Sequence, residues 1–185
     1  MLNLGIGVAI LSDGKVLLTK REDFEVWCLP GGAPEDGETF AQTARREAKE
    51  ETGLEVGLER LVGLYSRPEG SNGSSHDIIF TGRSIGGELR PDPQEVIAVG
   101  WFGLSDLPDP ILPWQRQEIR DALTEVGGSA VWRQDLDWPF PRELSRKDIY
   151  RLRDESGMPR QAFFRKHFYR AAFLEVLEVK PVRPG

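Results

Sequence analysis

Glu47, Glu50 and Glu51 are the residues of this chain best placed to do chemistry. They lie in the run Thr39 to Thr52, which is rich in Ala, Arg, Glu, Lys and Gln, all good helix formers, and Gly53 follows as a favoured helix stop. Side chains three and four apart share a helix face, so the three carboxylates converge on one side, while Ala41, Ala44 and Ala48 line another and can pack inward. Gathered carboxylates repel one another, and a hard divalent cation removes that cost. Oxygen ligands with no His or Cys nearby suit magnesium or manganese rather than zinc.

The flanking residues fit the same purpose. Leu29-Pro30-Gly31-Gly32 is a tight turn that lets backbone carbonyls approach an ion. Arg46 lies one turn before Glu50 and can hold that carboxylate by a charge-assisted hydrogen bond. Written out, the segment runs Gly32, five residues, Glu38, seven residues, Arg46-Glu47, two residues, Glu50-Glu51, then Gly53. It resembles the signature of the Nudix hydrolases at every fixed position.

That resemblance implies an α/β fold, an α/β/α sandwich with a mixed sheet. It also implies hydrolysis of a nucleoside diphosphate linked to another group, by attack of water on phosphorus with Mg2+, or Mn2+, as cofactor. By position, Glu50 and Glu51 look like the main metal ligands, with Glu47 the third and the Gly32 carbonyl a further one. One of these carboxylates can also serve as base. Arg46 and Glu38 match positions that orient the glutamates. In the family another base or ligand often comes from a loop opposite the helix. Glu95, at the end of the polar run Pro91-Asp92-Pro93-Gln94, is the candidate, with Glu88 and Glu69 behind it.

The substrate is legible only in part. Members resembling ADP-ribose pyrophosphatases carry a proline about 15 positions after the signature, and Pro68 stands at that distance from Gly53. ADP-ribose, split to AMP and ribose 5-phosphate, is therefore the first expectation, and a nucleoside triphosphate is the rival. Arg21, Arg67 and Arg83 are candidates for phosphate contacts, and Trp27 or Tyr65 for stacking on a base. His76, without partners in the sequence, reads as a loop residue.

These residues need a scaffold. Leu4 to Leu11 is apolar and β-prone, Asp13-Gly14 is a hairpin turn, and Val16 to Thr19 is the return strand. Val26 to Leu29, Leu54 to Tyr65, Asp77 to Ser84 and Glu95 to Phe102 read as further strands. Ser66 to Ser75 is a polar loop, Leu104 to Pro113 a Pro-rich connection, and Trp114 to Val126 a helix. That order is a mixed sheet with helices on its faces.

Composition agrees. The 39% apolar and 29% charged shares read as a soluble globular chain. No apolar run approaches the roughly 18 residues that span a membrane. The N-terminus lacks the basic region of a secretory signal, and Cys28 has no partner for a disulfide, so a cytoplasmic location is expected. Cys28, between Trp27 and Leu29, reads as a small buried hydrophobe.

Charge divides the chain. Residues 131–185 hold 12 Lys or Arg against 8 Asp or Glu, a net of +4, which leaves −10 for residues 1–130. The expected organisation is therefore a catalytic domain over 1–128 and a basic, aromatic-rich helical extension over 129–185. In the extension, Trp132 to Pro141 is aromatic and Pro-rich, Ser145 caps a helix through Ser156, and Arg160 to Phe173 forms a second. The pair faintly resembles a helix-turn-helix, as in ADP-ribose-sensing transcription regulators of the same family. Arg160, Gln161, Arg165 and Lys166 would then lie on the recognition helix. Arg153 stands where that turn wants a small residue, and the glutamate signature is intact. An arm packed on its own domain, or on a second copy in a homodimer, is the favoured reading over nucleic-acid binding.

Overall fold

The computed structural model describes residues 3–68, 74–124 and 130–180. Its order is β1 (Asn3–Ser12), β2 (Lys15–Arg21), β3 (Trp27–Cys28), β4 (Gly31–Gly32), α1 (Phe40–Thr52), β5 (Leu54–Arg67), β6 (Ser75–Gly87), β7 (Val96–Phe102), α2 (Gln115–Leu123), β8 (Ala130–Leu136), α3 (Arg146–Glu155), α4 (Arg160–Phe168) and β9 (Phe173–Val179). The strands run β3-β2-β1-β6-β5-β8-β9, with β4 on β1 and β7 on β2. β1 pairs with β6, and β5 with β8, in parallel, while the other ladders are antiparallel.

The two-residue period of β1 sorts its side chains between two helix layers. Ile6, Val8 and Ile10 pack with Ala44 and Ala48 of α1. Ala9, on the opposite face, joins Ile119 and Ala122 of α2. The expected α/β sandwich is the observed fold. Among the described residues no helix is long and apolar enough to cross a membrane.

Several sequence expectations change at the edges. The strands β5 and β6 extend the expected ones on both sides of the polar loop, so His76 lies within β6 and bonds to Ser66 Oγ at 3.0 Å. The expectation for Glu69 falls on residues 69–73, and the 128/129 boundary on 125–129; both lie outside the described residues. The extension holds its two helices, but β8 and β9 accompany them and lengthen the sheet. The second helix stops at Phe168, and the residues expected to finish it lead into β9.

The helices α3 and α4 pack on the chain's own β2–β3 connection. Arg153 donates to the Asp23 carbonyl, and its guanidinium lies 5.0 Å from the Tyr150 ring centroid and 5.6 Å from that of Phe24. Arg160 pairs with Glu22, Gln161 reaches the Glu25 carbonyl at 3.4 Å, and Arg165 meets Asp109 at 2.6 Å. Val26, Phe164 and Phe168 form the buried centre of this contact. The residue that spoils a helix-turn-helix turn is thus the one that anchors the extension.

Candidate active site

Two local devices present the glutamates. Thr39 and Gln42 form a capping box: Thr39 Oγ accepts from the Gln42 amide at 3.3 Å, and Gln42 Oε1 accepts from the Thr39 amide at 2.8 Å. At the other end Gly53 closes α1 at φ 81°, a left-handed conformation that glycine adopts without strain. The facing turn is pinned by β4, where Gly31 lies so close to Ile6 of β1 that a Cβ would strike the Ile6 carbonyl. A Cβ on Gly32 would overlap the Glu47 carboxylate. The Gly pair therefore lets the signature turn and the glutamate face touch.

The three carboxylates differ sharply in environment. Glu51 is buried and accepts from Thr19 Oγ at 3.3 Å and from the Gly31 amide. Burial pushes its pKa up to about 7, against the Arg21 charge that lowers it, and the Glu47 charge adds to the rise. Glu47 is raised as well, first by burial, with Arg46 opposing and Glu50 and Glu95 contributing. The Glu50 side chain is 56% exposed.

Arg46 organises the face. Its guanidinium donates to Glu38 at 2.7 and 3.0 Å, to Glu47 at 2.8 Å, to Glu50 at 3.0 Å and to the Ala33 carbonyl at 3.2 Å. Glu38 also accepts from Thr43 Oγ at 2.9 Å and from the Glu35 amide at 3.0 Å. The Arg46 hydrogen bonds and then the Glu35 amide hold the Glu38 pKa down to about 2.

The donor set suits a hard divalent ion. Three carboxylates and a backbone carbonyl supply oxygen only, and the bare α-carbon of Gly32 brings its peptide against Glu47. Among the described residues no three acidic, His or Cys side chains already stand in ligating geometry, because Arg46 draws Glu47 and Glu50 to itself. The exposed Glu50 is the member that a cation can turn at least cost.

The other expected site residues divide. Glu95 is brought within electrostatic reach of Glu47, and its carbonyl accepts from the Glu22 amide at 2.9 Å. Glu88 runs beside the cap of α1, its carbonyl against Gly53. Arg21 sits beside Glu51 and grips Asp23 at 2.6 Å. The remaining expected residues lie in other surroundings. Trp27 is partly buried and meets Phe102 edge-on at 5.0 Å, while Tyr65 is fully buried with its hydroxyl on Asp121 at 2.8 Å, so the Tyr65 ring is not offered to a base. Arg83 pairs with Glu59 at 2.8 Å on the exposed side of β6. Arg67 is buried on Asp77, Ser75 and Gln134, at 2.5, 3.1 and 2.9 Å, which makes it first a structural anchor. Cys28 is buried and free, its thiol pushed up to about 12 by burial, as a small hydrophobe should be.

Sequence reasoning missed Thr19 and Asp23. Thr19 shares a face of β2 with Arg21, so strand alternation alone offered a signal for it. Asp23 had none, since its partners Arg146 and Tyr150 come from α3, at 3.1 and 2.7 Å. Beside Arg21 and Asp23 opens a cavity of about 390 Å3 that reaches to Trp114, Trp138, Tyr150 and Phe168.

Comparison with known proteins joins these observations. A family model described as the NUDIX domain matches residues 1–126. A putative 8-oxo-dGTP diphosphatase of Bacillus subtilis (strain 168) is 34% identical over 122 residues, 65% of this chain and 80% of that protein. An ADP-ribose pyrophosphatase of Methanocaldococcus jannaschii is 39% identical over 103 residues, 54% of this chain and 60% of that one. The crystal structure of a MutT NUDIX hydrolase from Burkholderia pseudomallei superposes with a TM-score of 0.59 at 30% identity, covering 68% of this chain and 98% of that chain.

Proposed function

The chain belongs to the Nudix hydrolase family and is a pyrophosphohydrolase of nucleotide derivatives; we propose that it hydrolyses a diphosphate linkage held over the Glu47, Glu50 and Glu51 face, with Mg2+ or Mn2+ bound there. The observation that carries this reading is the grip of Arg46, which ties Glu38, Glu47, Glu50 and the Ala33 carbonyl into one face.

Glu47, Glu50, Glu51 and the Gly32 carbonyl would hold the ion, which when bound neutralises charge growing on the phosphoryl oxygens and lowers the pKa of coordinated water. The chain's own residues set the stage for that chemistry. Thr19 and the Gly31 amide fix one Glu51 orientation, and Arg46 with Glu38 fixes the helix face. Glu95, within electrostatic reach of Glu47, is the proposed additional base, accepting a proton from the attacking water. Arg21 supplies positive charge next to Glu51, where an anionic substrate must settle.

Two substrates fit this chemistry. ADP-ribose is proposed from Pro68, which follows β5 in a turn. A nucleoside triphosphate, giving a monophosphate and pyrophosphate, is proposed from the similarity to the putative 8-oxo-dGTP diphosphatase. The ADP-ribose-sensing regulator, the reading of another class, loses support because Arg160, Gln161 and Arg165 are engaged within the chain.

Incubation with a nucleotide panel and Mg2+, with products separated chromatographically, tests the proposal. Cleavage at a diphosphate linkage that stops with chelator is expected. A panel that includes ADP-ribose and modified triphosphates but yields no product would overturn it.

A further inference from the structure

The family match ends at residue 126, and the helices that follow it close on one segment, the connection between β2 and β3. Arg160, Arg153 and Gln161 donate to the carbonyls of Glu22, Asp23 and Glu25 in that connection. The Phe24 ring lies among those of Tyr150, Phe163, Phe164 and Phe168. Glu25 takes a left-handed φ of 54°, a conformation that a residue with a side chain keeps only where its neighbours enforce it. The shape of the connection therefore depends on the extension.

One carboxylate in it joins the extension to the site. Asp23 Oδ2 accepts from Tyr150 at 2.7 Å and from Arg146 at 3.1 Å, both of α3, and from Arg21 Nη2 at 2.6 Å. Asp23 Oδ1 accepts from Arg21 Nε at 3.0 Å and from the Phe24 amide at 2.8 Å. Asp23 thus grips one edge of the Arg21 guanidinium, and among the described residues Arg21 Nη1 donates to no group. Thr19, which holds Glu51, stands two residues before Arg21 on β2, and the Arg21 charge reaches Glu51. Arg21, Asp23, Arg146 and Tyr150 all line the cavity of about 390 Å3. Fixing an arginine costs much rotamer freedom, so one already held when a ligand arrives binds it more tightly. Without α3, Asp23 would keep only the adjacent Phe24 amide besides Arg21 itself, and the pair could swing together.

We propose that Tyr150 and Arg146 of the extension are positioning residues for the reaction: through Asp23 they hold the Arg21 guanidinium ready for a phosphate of the substrate. The inference rests on the pyrophosphohydrolase reading for the nature of that anion. The extension then does more than dock on the hydrolase part. It sets a cation beside the glutamate face before the substrate enters.

The test is calorimetric titration of the full chain with methylenediphosphonate and Mg2+. This diphosphate mimic carries no base, and its P–C–P bridge resists hydrolysis, so the result is independent of turnover. Tyr150→Phe should weaken binding about three- to tenfold, the worth of one hydrogen bond, and Arg21→Ala at least as much. In the Arg21→Ala background Tyr150→Phe should cost nothing further, whereas a merely structural loss would add to the first. Asp23→Asn, which keeps the side-chain shape with one acceptor oxygen fewer, should repeat both results and serves where Tyr150→Phe lowers the melting temperature. Arg165→Ala, which cuts an extension contact away from Asp23, should leave the affinity unchanged. On the best substrate of the panel, Tyr150→Phe should raise KM by the same factor with kcat unchanged, the mark of binding shared by ground and transition state. No binding by the parent chain, unchanged affinity in both Tyr150→Phe and Asp23→Asn, or additive losses in the double variants would overturn the inference. A panel without turnover would instead sink the hydrolase reading and leave the titration to decide the role of Tyr150.

Discussion

Arg46 and Glu38, eight residues apart, form a two-pronged ion pair at 2.7 and 3.0 Å, and the same guanidinium reaches Glu47 and Glu50. The arginine thus couples the loop before α1 to the proposed metal-binding face. Its replacement by lysine keeps the charge but loses the fork. Arg46→Lys should lower turnover by about 10- to 100-fold, the usual effect of misorienting metal ligands. Kinetics and thermal melts recorded together decide it: activity that falls only in step with the melting temperature would refute the orienting role.

Glu51→Gln removes a buried carboxylate, proposed as a metal ligand, while keeping its shape. A loss of several kcal/mol of barrier is expected, and about 1.36 kcal/mol corresponds to each tenfold in rate. Near-parent turnover on the best substrate of the panel would remove Glu51 from the site.

Gly32→Ala places a methyl group against the Glu47 carboxylate. Glu47 must then swing off the turn, so metal affinity and activity should drop by about 10- to 100-fold, with circular dichroism unchanged. Unaltered Mn2+ affinity by calorimetry would show that Gly32 and Glu47 do not act together.

Glu118 offers a pH test away from the site. It is fully buried, faces Asp77, Arg67 and Glu175, and burial followed by the Asp77 charge holds its pKa well above the ordinary carboxylate range, with Arg67 opposing. The folded chain therefore keeps a proton that the unfolded chain releases above about pH 4.3. Stability contributed by this position is lost as pH rises from there. Glu118→Gln should melt higher than the parent at pH 8 and show a shallower decline from pH 5. An equally steep decline in the variant would assign the effect elsewhere.

Electrophoretic shifts address the extension. Arg160 pairs with Glu22 and Arg165 with Asp109, so two cations of the expected recognition helix are engaged within the chain. No sequence-selective shift of duplex DNA is expected at low salt. Tight binding that weakens steeply with added salt would restore the regulator reading.

The signature helix was legible because its information is local: the helix formers from Thr39 on, the Ala44–Ala48 stripe and the Gly53 stop lie within one stretch of chain. The α/β sandwich followed from the order of strands and helices, and its Nudix type from the resemblance of the signature. What escaped the sequence depends on distant partners. Strand β8 was hidden by Gln134, a polar residue at a fully buried position, satisfied by Arg67, the Trp114 carbonyl and Glu175 at 2.9, 2.7 and 2.8 Å. Strand β9 went unread: apolar residues crowd both of its faces, and the expected helix reached only its first residue, Phe173. Tyr65 misled because an aromatic side chain suits a core as well as it suits a base. The cavity could not be foreseen, since Asp23 and Tyr150 meet across most of the chain.

The parallel ladder from Gly63–Ser66 of β5 to Ala130–Arg133 of β8 carries the sheet straight into the last fifty or so residues. Anyone building chimaeras from relatives would find no clean joint there. A crossover placed between α2 and β8 would graft a foreign strand onto a native edge and ask Arg67 to find a new partner for Gln134. A transplant that respects the ladder has to carry β5 along with the extension, and with it the floor of the cavity that the extension closes.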